Sequence, residues 1–218
     1  MQRVLACRSA RAYGGRRPLD WASRPVCVPD NRVLACRAVR MRVSEASGRT
    51  ERMSTEIVAR GLDQLGTLLA RVGPDDTASP TPCSDWTVAD LSDHIVNSTA
   101  GMVLMARGEQ PDWANAAHHD DPAAAFRAEA DALVVALDGG EFPVGMAAAE
   151  LAVHAYDLAT GLGVGTSDLD PEVAETGHAF MSSSLTADKR GDAFGPEQSA
   201  PDGADAYQRI AAFAGRAV

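Results

Sequence analysis

The sequence predicts an all-α protein, a bundle of four main helices with shorter additions. Two observations favour this fold class. Beyond Met53, apolar residues recur at intervals of three and four in segments long enough for helices, and Gly and Pro residues separate these segments. No segment shows the alternation of β-branched and polar residues that is typical of a strand.

The first two predicted helices are delimited by capping residues. The first begins after Ser54, which is suited to an N-cap, and its apolar periodicity stops at Gly73. The second covers about residues 87–107, because Thr87 and Asp90 have the spacing of a capping box. The segment between these helices is rich in Pro, Asp, Ser and Thr and is predicted to be a loop.

Proline and glycine mark the later helices. The third predicted helix starts at Pro122 and ends at the glycine pair 139–140. The fourth covers about residues 143–160, and Gly161 has the position expected of the C′ residue that ends a helix. A fifth helix starts at Pro171, and a last short helix is predicted near the C-terminus.

Charge divides the chain near Met53. Residues 1–52 hold twelve of the twenty basic residues and only four of the thirty acids, a net charge of +8, which leaves residues 53–218 with −18. This break predicts that residues 1–52 are a disordered or mis-assigned extension and that residues 53–218 form the folded domain. An Arg-rich, acid-poor arm also fits a transit peptide loosely. The acidity of the predicted domain argues against nucleic acid or anionic lipid as its partner.

The cysteines and the hydropathy pattern indicate in which cellular compartment the protein is expected. Three of the four cysteines fall within residues 1–52, so the predicted domain has only Cys83 and cannot form an internal disulfide. We therefore expect a cytoplasmic protein that folds under reducing conditions. No apolar stretch approaches the ~20 residues of a membrane span, so no membrane association is expected. The sequence does not indicate an oligomeric state.

Glu150 and His154 form the most informative pair in the sequence. Their spacing of four places a carboxylate and an imidazole side by side on one helix face. The residues around them, 147–153, are otherwise apolar, and burying unpaired ionisable groups is costly. His94, on the second predicted helix, offers a third ligand, and His, Glu, His with an open position is an arrangement of catalytic zinc sites. The alternative is a pair on a solvated helix face.

Three segments carry a resemblance to a known family. They are PTPCSDWTVADLSDHIV, which ends two residues beyond His94, ELAVHAYDLATGLG, which begins at Glu150, and AFGPEQSAPDGADAYQRIAAFAGR near the C-terminus. In combination they resemble the mycothiol-dependent maleylpyruvate isomerase N-terminal-like metal-binding proteins of the DinB-like superfamily. The resemblance covers about residues 54–216. This chain has Ala155-Tyr156 where the family usually has Gly-Trp.

The resemblance implies both a fold and a metal site. The implied fold is a DinB-like four-helix bundle. The resemblance also implies one divalent metal ion, most simply Zn²⁺, with His94, Glu150 and His154 as its ligands. Waters or a substrate would complete the coordination shell, and mycothiol is the implied cosubstrate. The isomerase itself adds a separate C-terminal domain, for which we expect no room here, so its particular reaction is not extended to this chain.

Two functions remain open from the sequence. The first is a metal-dependent thiol transferase or isomerase that joins a small thiol of the mycothiol type to an electrophilic substrate. The second is a non-enzymatic metal-binding protein with a role in stress or interaction. A hydrolase that uses metal-bound water lacks an obvious general base, because Glu150 is assigned as a ligand and the HExxH pattern is absent.

Other polar and aromatic residues have simpler interpretations. Asp157, three residues after His154, either orients that imidazole or instead faces solvent or pairs with an arginine. Arg216 is expected to form a structural ion pair in so acidic a domain. Trp86 is expected to pack in the core, and the pair His118-His119 is expected to lie solvated in a polar loop.

Overall fold

The structure, a computed structural model, describes residues 55–83, 86–138, 142–190 and 194–218. The prediction that residues 1–52 form a separate extension falls outside these ranges. Within them, the protein is all-α, as predicted, and contains no strand, only an isolated bridge between Pro80 and Thr87.

The second helix follows its capping signals closely, whereas Ser54, the N-cap predicted for the first helix, lies outside the described residues. Helix α1 covers residues 55–69 of the described chain, and α2 covers Val88–Ala106. The capping box is confirmed, because the Thr87 hydroxyl accepts a hydrogen bond from the Asp90 amide at 3.3 Å and the Asp90 carboxylate accepts one from the Thr87 amide at 3.0 Å. These bonds satisfy amide groups that the first turn of a helix leaves free.

Helices α3 (Pro122–Leu137) and α4 (Val144–Gly161) correspond to the third and fourth predicted helices, with one correction in α4. The glycine pair 139–140, predicted to end α3, lies outside the described residues. Gly161 is the last residue of α4 and not the C′ residue. Gly163 has that role, since its φ of +66° is the left-handed conformation that glycine adopts at a helix end without a steric penalty. Sequence spacing could not distinguish two glycines separated by a single residue.

The C-terminal part contains two further helices. Helix α5 covers Pro171–Ser184 and α6 covers Ala206–Phe213, with a short 3₁₀ turn at Ala187–Lys189 between them. A second capping box begins α6, where Asp205 and Gln208 exchange hydrogen bonds. None of the helices in the described residues is long and apolar enough to cross a bilayer.

Helix α4 lies at the centre of the packing. It contacts α2, α5 and α6, while α2 also packs against α3. Helix α1 reaches the same core, because Gly61 lies against Leu151 of α4 and Val173 of α5, and Gly66 lies against Phe126 of α3. Almost every residue of α4 from Ala147 onward is buried, as expected of a helix with neighbours on several sides. Polar side chains on α4 are therefore held in fixed surroundings.

Candidate metal centre

Three predicted side chains from two helices meet at one point. His94 projects from α2, and Glu150 and His154 project from adjacent turns of α4. The Nε2 atom of His94 lies 3.2 Å from the Oε1 atom of Glu150 and 3.1 Å from the Nε2 atom of His154. The third side of this triangle, from His154 Nε2 to Glu150 Oε1, measures 3.3 Å. Within the described ranges, no other group of three His, Cys, Asp or Glu residues converges in this way.

The triangle has the dimensions that a small divalent ion requires. Zinc bonds of about 2.0–2.1 Å in a tetrahedron place neighbouring ligand atoms about 3.3 Å apart. The three observed separations, 3.1, 3.2 and 3.3 Å, are close to that value. Two imidazole nitrogens and one carboxylate oxygen are also a donor set that zinc accepts. The residues present thus fit a metal ion in both spacing and chemistry.

Partial burial and mutual contact perturb all three groups. Burial lowers the pKa of His94 despite its contact with Glu150. Burial also opposes a charge on His154, but Glu150 and Asp157 outweigh it and raise the pKa of His154 to about 9. The two histidines hold the pKa of Glu150 well below its usual range, although burial acts in the opposite direction. In the metal-free protein, Glu150 and Asp157 therefore favour a positive charge on His154.

The site is accessible from one side. The His154 side chain is buried, with 7% of its surface exposed, while His94 keeps 18% and Glu150 keeps 30%. Solvent therefore reaches the group from the side of His94 and Glu150. The partial exposure of His94 and Glu150 is compatible with an open coordination position, as catalytic zinc sites have.

Trp86 forms one wall of this site, a role that the sequence did not reveal. Its ring centroid lies 4.4 Å from that of His94 and 6.4 Å from that of His154. The turn before α2 fixes its backbone, since the Trp86 amide donates to Cys83 O at 2.8 Å and its carbonyl accepts from the Thr81 hydroxyl at 2.9 Å. Its place directly before the N-cap of α2, eight residues ahead of His94, was the signal available in the sequence.

Asp157 and Arg216 lie behind His154. Asp157 is fully buried, and its Oδ2 atom is 3.3 Å from the Nδ1 atom of His154. The N–H direction at Nδ1 is off the line to this oxygen, so Nδ1 makes no aligned hydrogen bond and the contact is electrostatic. Both oxygens of the carboxylate accept hydrogen bonds from Arg216, Oδ1 from Nε and Oδ2 from Nη2. The alternative that Asp157 faces solvent is wrong, and contact with the imidazole and pairing with an arginine are present together.

The histidine pair 118–119 is separate from the site. Asp93 accepts a hydrogen bond from Nδ1 of His118 at 2.7 Å and another from the backbone amide of His119 at 2.9 Å. Asn97 exchanges two further bonds with the backbone of Ala117. His118 is largely exposed, as expected, but the loop is fastened to α2. These contacts tie the loop to α2 at Asp93 and Asn97, close to His94.

These features define a helical-bundle protein with a candidate metal centre between two of its helices. Comparison with known proteins agrees with this class. The model of the mycothiol maleylpyruvate isomerase N-terminal domain matches residues 58–159, which include His94, Glu150 and His154. The chain belongs to this family, as the sequence motifs indicated.

Curated relatives extend the similarity beyond the matched domain. Two uncharacterised proteins of Mycobacterium tuberculosis, from strains CDC 1551 and H37Rv, are each 34% identical to this chain over 174 residues. The alignments cover 73% of this chain and 95% of each relative. No solved structure matches the chain significantly.

Proposed function

We propose that this protein binds one zinc ion through His94, Glu150 and His154 and uses it in the transfer or isomerisation chemistry of a small thiol of the mycothiol type. The single observation that carries the proposal is the convergence of three donor atoms from α2 and α4 within 3.3 Å of one another. Membership of the mycothiol maleylpyruvate isomerase N-terminal family supports the choice of thiol.

The residues of the site have complementary tasks. His94 and His154 present neutral nitrogen donors, and Glu150 supplies one negative charge. When bound to this donor set, a divalent ion keeps a net charge of +1 and favours the anionic form of a thiol over the neutral form. Trp86 holds the ring of His94 and limits the space beside it. Glu150 is partly exposed, so an incoming thiol would approach the site past its side chain.

The nucleophile in this proposal comes from the small thiol and not from the protein. Cys83 is buried in the turn before α2. A thiol ionised at the metal site would attack an electrophilic carbon directly, because thiolate is the reactive form of sulfur. Cys83 is therefore dispensable for this chemistry.

The test is a thiol titration of the cobalt-substituted full-length protein. We expect mycothiol to produce a sulfur-to-cobalt charge-transfer band that saturates near one equivalent, and we expect the same band in the Cys83→Ala variant. If cobalt binds but no cellular thiol produces the band, the thiol chemistry is wrong and a metal-binding protein without thiol transfer remains. If no metal binds, both parts of the proposal fail.

A further inference from the structure

A buried ion pair joins the C-terminus of the chain to the candidate metal centre. The Nε and Nη2 atoms of Arg216 donate to the two carboxylate oxygens of Asp157, at 3.2 and 3.0 Å. The Oδ2 atom, which accepts from Nη2, also lies 3.3 Å from Nδ1 of His154. Asp157 and Arg216 are both buried, so this connection is shielded from water. A chain of direct contacts therefore leads to the candidate metal centre, from Arg216 through Asp157 to His154.

The chain just before Arg216 is held in a defined turn. Gly215 adopts a φ of +91° and lies against the backbone of Gly195, where a Cβ atom would come within 2.7 Å of that backbone. Arg190 fastens the same turn by donating to the carbonyl oxygens of Gly195 and Phe213, at 3.0 and 2.7 Å. The turn directs Arg216 toward α4.

We infer that Asp157 and Arg216 are positioning residues for the metal ligand His154, so that the C-terminal turn contributes to metal affinity. The inference rests on the proposed function, because it assigns to this pair a task at the same site. Arg216 lies outside the residues 58–159 that match the family domain. The affinity of the site thus depends on a segment beyond that domain.

Tautomer and orientation explain how the pair acts. For Nε2 of His154 to serve as a ligand, the ring proton must be on Nδ1, and a carboxylate beside Nδ1 stabilises that tautomer. Asp157 is the carboxylate in that place, and a small rotation of the ring would align the N–H with Oδ2. Arg216 keeps the buried charge of Asp157 compensated and fixes the carboxylate by two hydrogen bonds.

The experiment measures zinc affinity by competition with a chromophoric chelator, together with the absorption spectrum of the cobalt form. The main variant is the double substitution Asp157→Asn with Arg216→Gln, which leaves no unpaired buried charge. We expect its zinc dissociation constant to rise about 10–100-fold, with altered cobalt bands. The control is Arg60→Gln, which removes an arginine ion pair with Asp170 and touches neither Asp157 nor the C-terminal turn, and its zinc affinity should match that of the wild type.

The outcomes separate the inference from the proposed function. A wild-type protein that binds no zinc refutes the proposed function and with it this inference. A folded double variant that binds zinc as tightly as the wild type, with an unchanged cobalt spectrum, overturns only the inference and leaves a purely structural ion pair. If the double variant does not fold, Arg216→Lys decides. This variant keeps the charge but loses the two-nitrogen contact, and wild-type zinc affinity in it also overturns the inference.

Discussion

The Nε2 atoms of His94 and His154 lie 3.1 Å apart, although sixty positions separate the two residues in the chain. Two imidazole nitrogens at this distance share at most one proton, and the Glu150 carboxylate completes the triangle at 3.2 and 3.3 Å. The lone pairs of these two nitrogens and of the carboxylate oxygen therefore point toward one position at a partly exposed surface. A cation at that point would satisfy all three donors at once.

Removal of any one ligand should reduce metal binding. We expect His94→Ala, Glu150→Gln and His154→Ala each to retain well under one equivalent of zinc after gel filtration, because two donors hold the ion far more weakly than three. Metal analysis of the purified variants measures this. His118→Ala is the control, since His118 contacts Asp93 outside the triangle and its loss should leave metal content unchanged. Stoichiometric zinc in both His→Ala ligand variants would contradict the assignment.

The stability of the metal-free protein should depend on pH through His154. Its pKa of about 9 lies above the ordinary value of 6.5. A raised pKa contributes stability that is fully present below pH 6.5 and is lost as pH rises through 9. We therefore expect the Tm of chelator-treated protein to decrease across this interval. With zinc bound, Nε2 carries no proton, and the decrease should be absent.

Thermal melts from pH 6 to 9.5, with and without a chelator, provide the comparison for this pH dependence. The Glu150→Gln variant serves as the control, because it removes the charge that contributes most to raising the pKa of His154. Its metal-free Tm should vary less over the same interval. An equally steep decrease in the zinc-loaded wild type would show that His154 is not the group responsible.

Trp86 should report events at the site. Its indole lies 4.4 Å from the His94 ring, so binding of a metal ion or a thiol there should change its fluorescence. We expect zinc to alter the emission of the wild type and of Trp113→Phe, but not that of Trp86→Phe. Trp113 is a suitable control, because its ring packs on Gly101 of α2 and remains partly exposed. A zinc response that persists without Trp86 would rule out this use of the indole.

Trp86 should also affect zinc affinity, because its indole packs against the ring of His94. Because the indole restricts the orientation of the ligand ring, Trp86→Ala should weaken zinc binding, by about tenfold if the indole contributes as supporting residues at metal sites commonly do. Trp86→Phe keeps an aromatic ring against His94 and should lose less. Competition titrations of these two variants against the wild type measure the difference. Equal affinities in all three would show that the stacking does not hold the ligand.

The sequence by itself determined the helices and the three converging residues. Capping boxes, prolines and apolar periodicity act within a few residues, so the limits of α2 and α3 could be predicted almost to the residue. The i,i+4 spacing of Glu150 and His154 is likewise local. His94 was predicted to lie near them because helices of a bundle face one another and because it belongs to one of the family motifs.

Only the tertiary structure decided what surrounds these residues. The contact of Arg216 with Asp157 joins positions fifty-nine residues apart, and the stacking of Trp86 on His94 depends on how a turn folds back before α2. Such contacts follow from the angles at which helices cross and from the space that neighbouring side chains leave. Local periodicity carries no information about either quantity, because it specifies which face of a helix is apolar but not which helix covers it.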